Sequence, residues 1–452
     1  MKKAGLYVTA LAFALAGFGC SGSVSSGDVK DSTVKADTAD AEKAAEPAGT
    51  VDANDLTAKE AALTAADVPE VSADDMKKYG DALNAFSHEF EAQYAGTASY
   101  VFSPFSYHSA LSMAAFGAKG ATYDEMAKVL HFAGNAEDAA SLNGGMRLKL
   151  RFDGQNEASK LEIANRIWVE QTAEVVPAFD EGMARYYKAP LKLADFKQNY
   201  SEYLGVINTW VSNNTSNMIQ NLLGKDALTD MTRMVLVNAI RFDGKWEYPF
   251  EPFKTKNADF HVSADSTVPV RMMTLGDGLV DLYRSDEGQY TAVSLDYEGK
   301  TFGMLIVLPD VIEGLSTVAP KLDGAGLRGI LDGLKPTPYK VSIPKFKIET
   351  EVDIQRNKAI FSALGMATAF GETADFSGML TGEDIKIGAI VHKAIIEVDE
   401  AGTKASAATA VAAVANSADL DVKRFVADHP FEYVLYHKAS GAVLFAGQFW
   451  GK

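Results

Sequence analysis

Cysteine is nearly missing from this chain: Cys20 is the only one in 452 residues. No intramolecular disulfide can form, so a folded part exported to an oxidising compartment must be held by its own core. With 47% hydrophobic residues, the chain has apolar surface for one large domain or two ordinary ones. Basic charge is also short. Lys and Arg number 43 against 60 Asp and Glu, a net charge of −17. Phosphate backbones demand a basic footprint, so nucleic acid is excluded as an expected partner, and the acidity is read as a solubility device.

Catalytic and metal-binding patterns are missing as well. The seven histidines (His88, His108, His131, His261, His392, His429 and His437) are scattered, and none forms a pair at metal spacing on a convincing helix. "EGKT" at 298–301 looks like the end of a phosphate loop, but Ser294 stands where that loop needs glycine. "GDGLVD" lacks calcium-ligand spacing, and there is no G-x-S-x-G elbow. No cofactor or metal is expected, and nothing points to an enzyme, although a triad of distant Ser, His and Asp is a third reading.

The N-terminus reads as a targeting segment. Lys2 and Lys3 precede an apolar run at 4–18, which is short for a membrane span and matches a signal-peptide core. "GFGCSGS" then resembles a bacterial lipobox, with lipid on the Cys20 thiol after cleavage. Gly17 and Phe18 depart from its usual Leu and small residue. An ordinary secretory signal with an incidental cysteine is the alternative. Residues 21–75 are rich in Ala, Asp, Ser, Thr, Gly and Glu, with no aromatic from Ser21 to Lys78. Such a segment cannot offset its chain entropy by burial, so it is expected to be a disordered acidic tether, with a fleeting helix near "LTAKEAALTAADV".

The globular pattern starts near Asp81. Leu83, Phe86, Phe90 and Tyr94 sit at helical spacing. "SALSMAAFGAKGATYDEMAKVLHF" reads as two helices broken at Gly117–Gly120, with Thr122 as the second cap. "LGVINTWVSNNTSNMIQNLL" reads as one helix. "LEIANRIWVE", "TRMVLVNAIRF", "TFGMLIVLPD", "YKVSIPKFKIETEVDI", "AIIEVDE" and a hairpin turning at Ser440-Gly441 read as strands. The class expected is α+β, with helices around large antiparallel sheets.

One ribbon remains: "EAGTKASAATAVAAVANSADL", Glu400 to Leu420. From Ala405 to Ser417 it has no charge. Alone, it would pass for an Ala-rich helix or spacer. Its flanks suggest otherwise. "VFSPFSYHSALSMAAFGAKGATYDEM", "LVNAIRFDGKWEYPF", "SIPKFKIE", "LGMATAF", "ADFSGM", "VHKAIIEVDEAGTKASAATA" and "ADHPFEYVLYHKASGAVLFAGQ" stand in the order found in the serpin family, which this chain resembles from about Asp81 to its C-terminus. Glu432 and Ala401 depart from the usual residues.

The resemblance implies a serpin fold of three β-sheets with about eight or nine helices and an exposed reactive-centre loop, about 400–424. The domain division expected is 1–20 signal, 21–75 tether and 76–452 serpin domain. The implied activity is suicide inhibition. A target serine protease cleaves the loop, which enters the main sheet as a new strand and carries the acylated enzyme with it. The ribbon's chemistry suits this. Thr403, Ala405, Ala407, Thr409, Val411 and Ala413 would face a pre-packed core, all small or β-branched, while Lys404, Ser406, Ala408, Ala410 and Ala412 face out. Gly402 allows a bend, and no proline interrupts the ladder. Glu400 and Lys345 match an ion pair at the top of the sheet beside Trp246. Ser103, Ser106, Asn238 and His392 match a polar cluster at its opening point. Counting from Glu400 puts the scissile bond at Asn416-Ser417, with Val414 and Ala415 as alternatives. Small apolar residues there suit elastase-like proteases. The expectation is thus a monomeric, membrane-tethered, extracytoplasmic inhibitor that forms a covalent acyl complex with its protease. A non-inhibitory serpin-fold binding protein or protease substrate is the alternative.

Overall fold

A computed structural model describes residues 60–403 and 423–452, apart from Ala95, Pro190, Asp277, Glu383 and Asp384. Nine α-helices occur among the described residues: α1 Ala73–Tyr94, α2 Pro104–Gly117, α3 Gly120–Val129, α4 Ala136–Asp153, α5 Pro177–Gly182, α6 Phe196–Asn214, α7 Leu315–Val318, α8 Gly324–Gly333 and α9 Ile354–Leu364. The strands are β1 Tyr100–Phe102, β2 Ser159–Glu170, β3 Glu174–Val175, β4 Lys192–Ala194, β5 Met234–Lys245, β6 Lys256–Ser263, β7 Ser266–Thr274, β8 Gly278–Ser285, β9 Tyr290–Asp296, β10 Phe302–Pro309, β11 Lys335–Val352, β12 Leu380–Thr381, β13 Ala389–Val398, β14 Gly402–Thr403, β15 Arg424–Val426, β16 Phe431–His437 and β17 Val443–Phe449.

The long strand β11 organises three sheets by changing partners along its length. Lys335–Tyr339 pair with β8, at the edge of a back sheet that continues β9, β10, β16, β17 and β1. Lys340–Lys345 lie between β15 and β7, with β6 beyond. Phe346–Val352 pair with β13 in the front sheet, which runs on through β5, β2 and β4. A separate two-stranded pair joins β3 and β12. This is the serpin architecture expected, α+β with three main sheets.

Burial follows the alternation of the strands. On β5 and β13, Leu236, Ile240, Ile390, Ala394 and Ile396 face the main core with α1 and α2. Val235, Val237, Ala239, Val391 and Ile395 face a second cluster closed by Ile207, Trp210 and Val211 of α6. Both faces of the sheet are covered, which is why these strands read as near-continuous apolar runs.

Three local readings change. Thr122 is not a cap: α3 starts at Gly120 after Lys119, which gives no side-chain capping, and the Thr122 hydroxyl accepts from the Asp375 amide at 2.9 Å. The helix read through Leu223 stops at Asn214. There the Thr215 hydroxyl donates back to the Val211 carbonyl, and Ser216 and Asn217 take left-handed φ. The chain is also seated well before residue 75. Residues 60–71 lie against the body with a single 3-10 turn at Ala65–Asp67, and α1 begins at Ala73. Backbone hydrogen bonds and an ion pair hold a segment whose composition promised little burial.

Candidate functional site at the seam of the front sheet

The front sheet has a seam where two parallel strands meet. Ala389–Lys393 of β13 pair with Val235–Ala239 of β5. Beyond Lys393 this pairing stops, and the gap is entered at its far end by β14. Thr403 pairs with Val398 on one side and Gly244 on the other, and Gly402 lies opposite Lys245. β14 thus sits between the two strands and points down the seam.

Polar side chains pin the closed part. His392 and Asn238 face each other in register across the seam. The Ser103 amide donates to His392 Nε2 at 3.0 Å, which leaves Nδ1 as the donor to Asn238 Oδ1 at 2.9 Å. Asn238 Oδ1 also accepts from the Ser106 hydroxyl at 2.5 Å. Ser103 Oγ donates to the Leu444 carbonyl at 2.6 Å and caps α2 through the Ser106 amide. All four residues are fully buried. Burial pulls the His392 imidazole down to about 3, so the ring is neutral and can accept from the amide. Tyr107 packs on it with ring centres 4.2 Å apart and is held by Asn357 at 2.5 Å.

The mouth of the seam is built from the other predicted residues. Glu400 accepts from Lys345 Nζ at 2.7 Å and from the Thr255 hydroxyl at 2.8 Å. Burial pushes its carboxyl up, but these donors outweigh it and hold the pKa below the usual value. Trp246 stacks on Tyr297 at 4.5 Å and donates from Nε1 to the Asp399 carbonyl at 2.9 Å. Its backbone amide donates to the Ala401 carbonyl. Gly402 serves a different purpose from the bend expected of it. Its φ is not in the left-handed region; a Cβ there would lie 2.0 Å from the Gly244 carbonyl oxygen, so glycine is needed for close backbone approach.

Two contributors had weak sequence signals. Asp399 Oδ1 accepts from the amides of Ala401 and Gly402, an Asx turn that sets the hinge; an Asp three residues before a Gly was the available hint. The Tyr297 hydroxyl meets Thr403 Oγ1 at 2.5 Å, a contact between residues 106 positions apart that no local pattern signals. Ala405, Ala407, Thr409, Val414, Ala415, Asn416 and Ser417, as well as Cys20, lie outside the described residues. The described chain leaves the front sheet at Thr403 and resumes at Lys423, beside β15 on β11.

A Ser–His–Asp string does exist. Ser440 Oγ lies 2.9 Å from His437 Nδ1, whose Nε2 is 3.2 Å from Asp153. Ser440 is completely buried in the β16–β17 turn, and its hydroxyl also accepts from the Ala442 amide. No substrate can reach it, so the string is a turn lock. Among the described residues, no His, Cys, Asp and Glu cluster could hold a metal ion.

Comparison with known proteins agrees with this geometry. The family model "Serpin (serine protease inhibitor)" matches residues 81–451. The chain is 35% identical over 354 residues to the leukocyte elastase inhibitor of Bos taurus, covering 76% of this chain and 91% of that protein. It is 34% identical over 374 residues to a serpin-like protein of Thermococcus kodakarensis, covering 81% and 84% respectively. Among solved structures, Serpin48 of the insect Tenebrio molitor, described as a highly specific serpin, superposes with a TM-score of 0.72 at 33% identity, covering 82% of this chain and 98% of that one. Family match, sheet order and pinned seam agree: the chain belongs to the serpin family.

Proposed function

We propose that this protein is an irreversible suicide-substrate inhibitor of serine proteases. The observation that carries the reading is Thr403, seated between β5 and β13 at the mouth of a seam that buried hydrogen bonds hold shut below it. The residues after Thr403 are small and mostly uncharged. They suit an added central strand, which would gain backbone hydrogen bonds on both sides. In the proposed reaction, the protease serine attacks the Asn416 carbonyl, with Val414 and Ala415 as the alternative positions. The bond to Ser417 breaks, the new amine leaves, and the acyl ester is carried off as the loop inserts. Small residues in "AVAAVAN" favour an elastase-like pocket, in keeping with the name of the bovine relative.

The remaining organisation is part of the same proposal. Cys20 carries the lipid of a bacterial cell-envelope lipoprotein after the leader is cleaved just before it, and the acidic Ala-rich stretch tethers a monomeric inhibitory domain outside the cytoplasm.

Incubation with an elastase-like protease followed by a denaturing gel tests the mechanism. A covalent band of summed mass is expected, with the remnant peptide beginning at Ser417. Clean cleavage with no gain in heat stability would leave the chain a substrate or binding member of the family. For the anchor, Cys20→Ser should release the protein from membranes; a wild type that is already soluble overturns that part.

A further inference from the structure

Residues 60–71 precede the family-matched region, yet they are fastened to the body at three places. The Glu60 carboxylate lies 3.0 Å from Arg151 Nη1 and 3.4 Å from Arg147 Nη2, both on α4. Arg147 is fully buried and also donates to the Tyr187 carbonyl at 2.6 Å, while Arg151 donates to the Ala61 carbonyl at 2.5 Å. The Leu63 amide donates to Gln155 at 3.0 Å, in the turn leading into β2. Pro69 and Val71 close over Gly145 of α4, where a Cβ would already be in tight contact with both. Most telling, the Glu60 amide donates to Asn214 Oδ1 at 2.8 Å. Asn214 is the last residue of α6. The segment thus spans a groove of about 560 Å3 lined by Glu60, Arg151, Gln155, Lys160 and Asn214.

The position of α6 gives this strap a consequence. Ile207, Trp210 and Val211 share one buried cluster with Val235, Val237 and Ala239 of β5 and with Val391 and Ile395 of β13. α6 and the segment after it, with Ile219, Leu222 and Leu223, thus belong to one buried layer that includes side chains from both sides of the seam. Thr403 faces the opposite, inner side, where it meets Tyr297. By alternation, Ser406, Ala408 and Ala410 would arrive on the face of this layer if the loop inserted. The β5–β13 pairing must part by one strand, about 4.8 Å, and the layer that α6 shares with both strands must repack while it does. Whatever ties down the end of α6 resists that step.

We propose that residues 60–71 are a brake on loop insertion, strapping α4 to the C-terminal end of α6 and so holding down the buried layer that α6 shares with both sides of the seam. The inference rests on the insertion reading above.

The test uses the full chain, cleaved in its loop by an elastase-like protease, and follows the rate at which cleaved molecules gain heat stability. Asn214→Ala removes the acceptor for the Glu60 amide, and Glu60→Ala removes the pair with the arginines. Each is expected to gain heat stability about fivefold faster than wild type, the factor for one net hydrogen bond. Asn214→Asp retains an acceptor for the Glu60 amide but loses the Nδ2 donation to the Trp210 carbonyl; a rate near wild type assigns the effect of Asn214→Ala to the strap, and a rate as fast as that of Asn214→Ala assigns it to α6 itself, with Glu60→Ala then deciding. Glu60→Ala lies outside the family-matched body and keeps the test decisive if Asn214→Ala does not fold. Equal rates in wild type, Asn214→Ala and Glu60→Ala overturn the brake while leaving insertion intact. A wild-type cleaved chain that never gains heat stability overturns insertion itself, and the brake with it.

Discussion

At the residue scale, the buried titratable groups carry the clearest consequences. His392 is neutral in the fold with its pKa near 3, while in an unfolded chain it would titrate near 6.5. Between those values the unfolded state binds the extra proton, so the closed seam is most stable above about pH 6.5 and loses stability as pH falls towards 3, by up to about 1.4 kcal/mol per pH unit. His108, buried and pulled down to about 4, adds to the same window. The thermal midpoint should therefore fall between pH 7 and pH 5, and His392→Gln should show a shallower fall than wild type; parallel profiles would contradict the assignment. Glu432, the acidic residue standing where the family resemblance expects an apolar one, gives the opposite sign. It is buried beside Glu91, and burial with mutual repulsion pushes Glu432 well up, while burial raises Glu91 to about 7 despite the hydroxyl of Tyr100 at 2.5 Å. An acid raised above its unfolded value contributes fully below about pH 4.5 and costs stability as pH rises towards the folded value. Glu432→Gln should raise the midpoint at pH 8, by the equivalent of about 1–3 kcal/mol, and do so less at pH 5. A larger gain at pH 5 would contradict the raised titration of Glu432 beside Glu91.

At the element scale, β14 is two residues long and depends on backbone contact. The Cβ of Gly402→Ala would collide with the Gly244 carbonyl, so Thr403 could not hold its place between β5 and β13. This variant is expected to give more cleaved chain and less covalent complex, by several-fold on a gel; an unchanged ratio would show that β14 does not prime insertion. The Lys345–Glu400 pair beside it is half exposed on the lysine side, so Lys345→Met should cost only about 0.5–1 kcal/mol in the intact form. Helix α6 shows why some boundaries escape sequence reading. Its apolar spacing continues past Asn214 to Ile219 and Leu222, which are indeed buried, but a Thr215 side-chain hydrogen bond and two residues in left-handed conformation break the helix without breaking the pattern.

At the scale of the whole molecule, the proposed insertion of a further strand between β5 and β13 implies that the native fold is not the lowest in free energy. Its persistence is then a rate. Faster heating should raise the apparent midpoint of the intact protein by several degrees for a tenfold change in scan rate, with a smaller change for the cleaved protein; a midpoint independent of scan rate would argue for equilibrium unfolding.

The sequence by itself determined which segments are strands buried on both sides, as in "TRMVLVNAIRF"; the residues at the seam came only through the resemblance to the serpin family. Period and composition are local properties that the chain carries in any conformation. It also determined that the stretch from Ala405 to Ser417 is built of small side chains without charge. Tertiary structure decided the rest. Only the fold puts Tyr297 against Thr403, sets His392 opposite Asn238, buries Glu91 against Glu432, and turns an acidic leader into a strap from Arg147 and Arg151 to Asn214. Each of these joins residues far apart in the chain, where no local propensity acts and only packing geometry selects the partner.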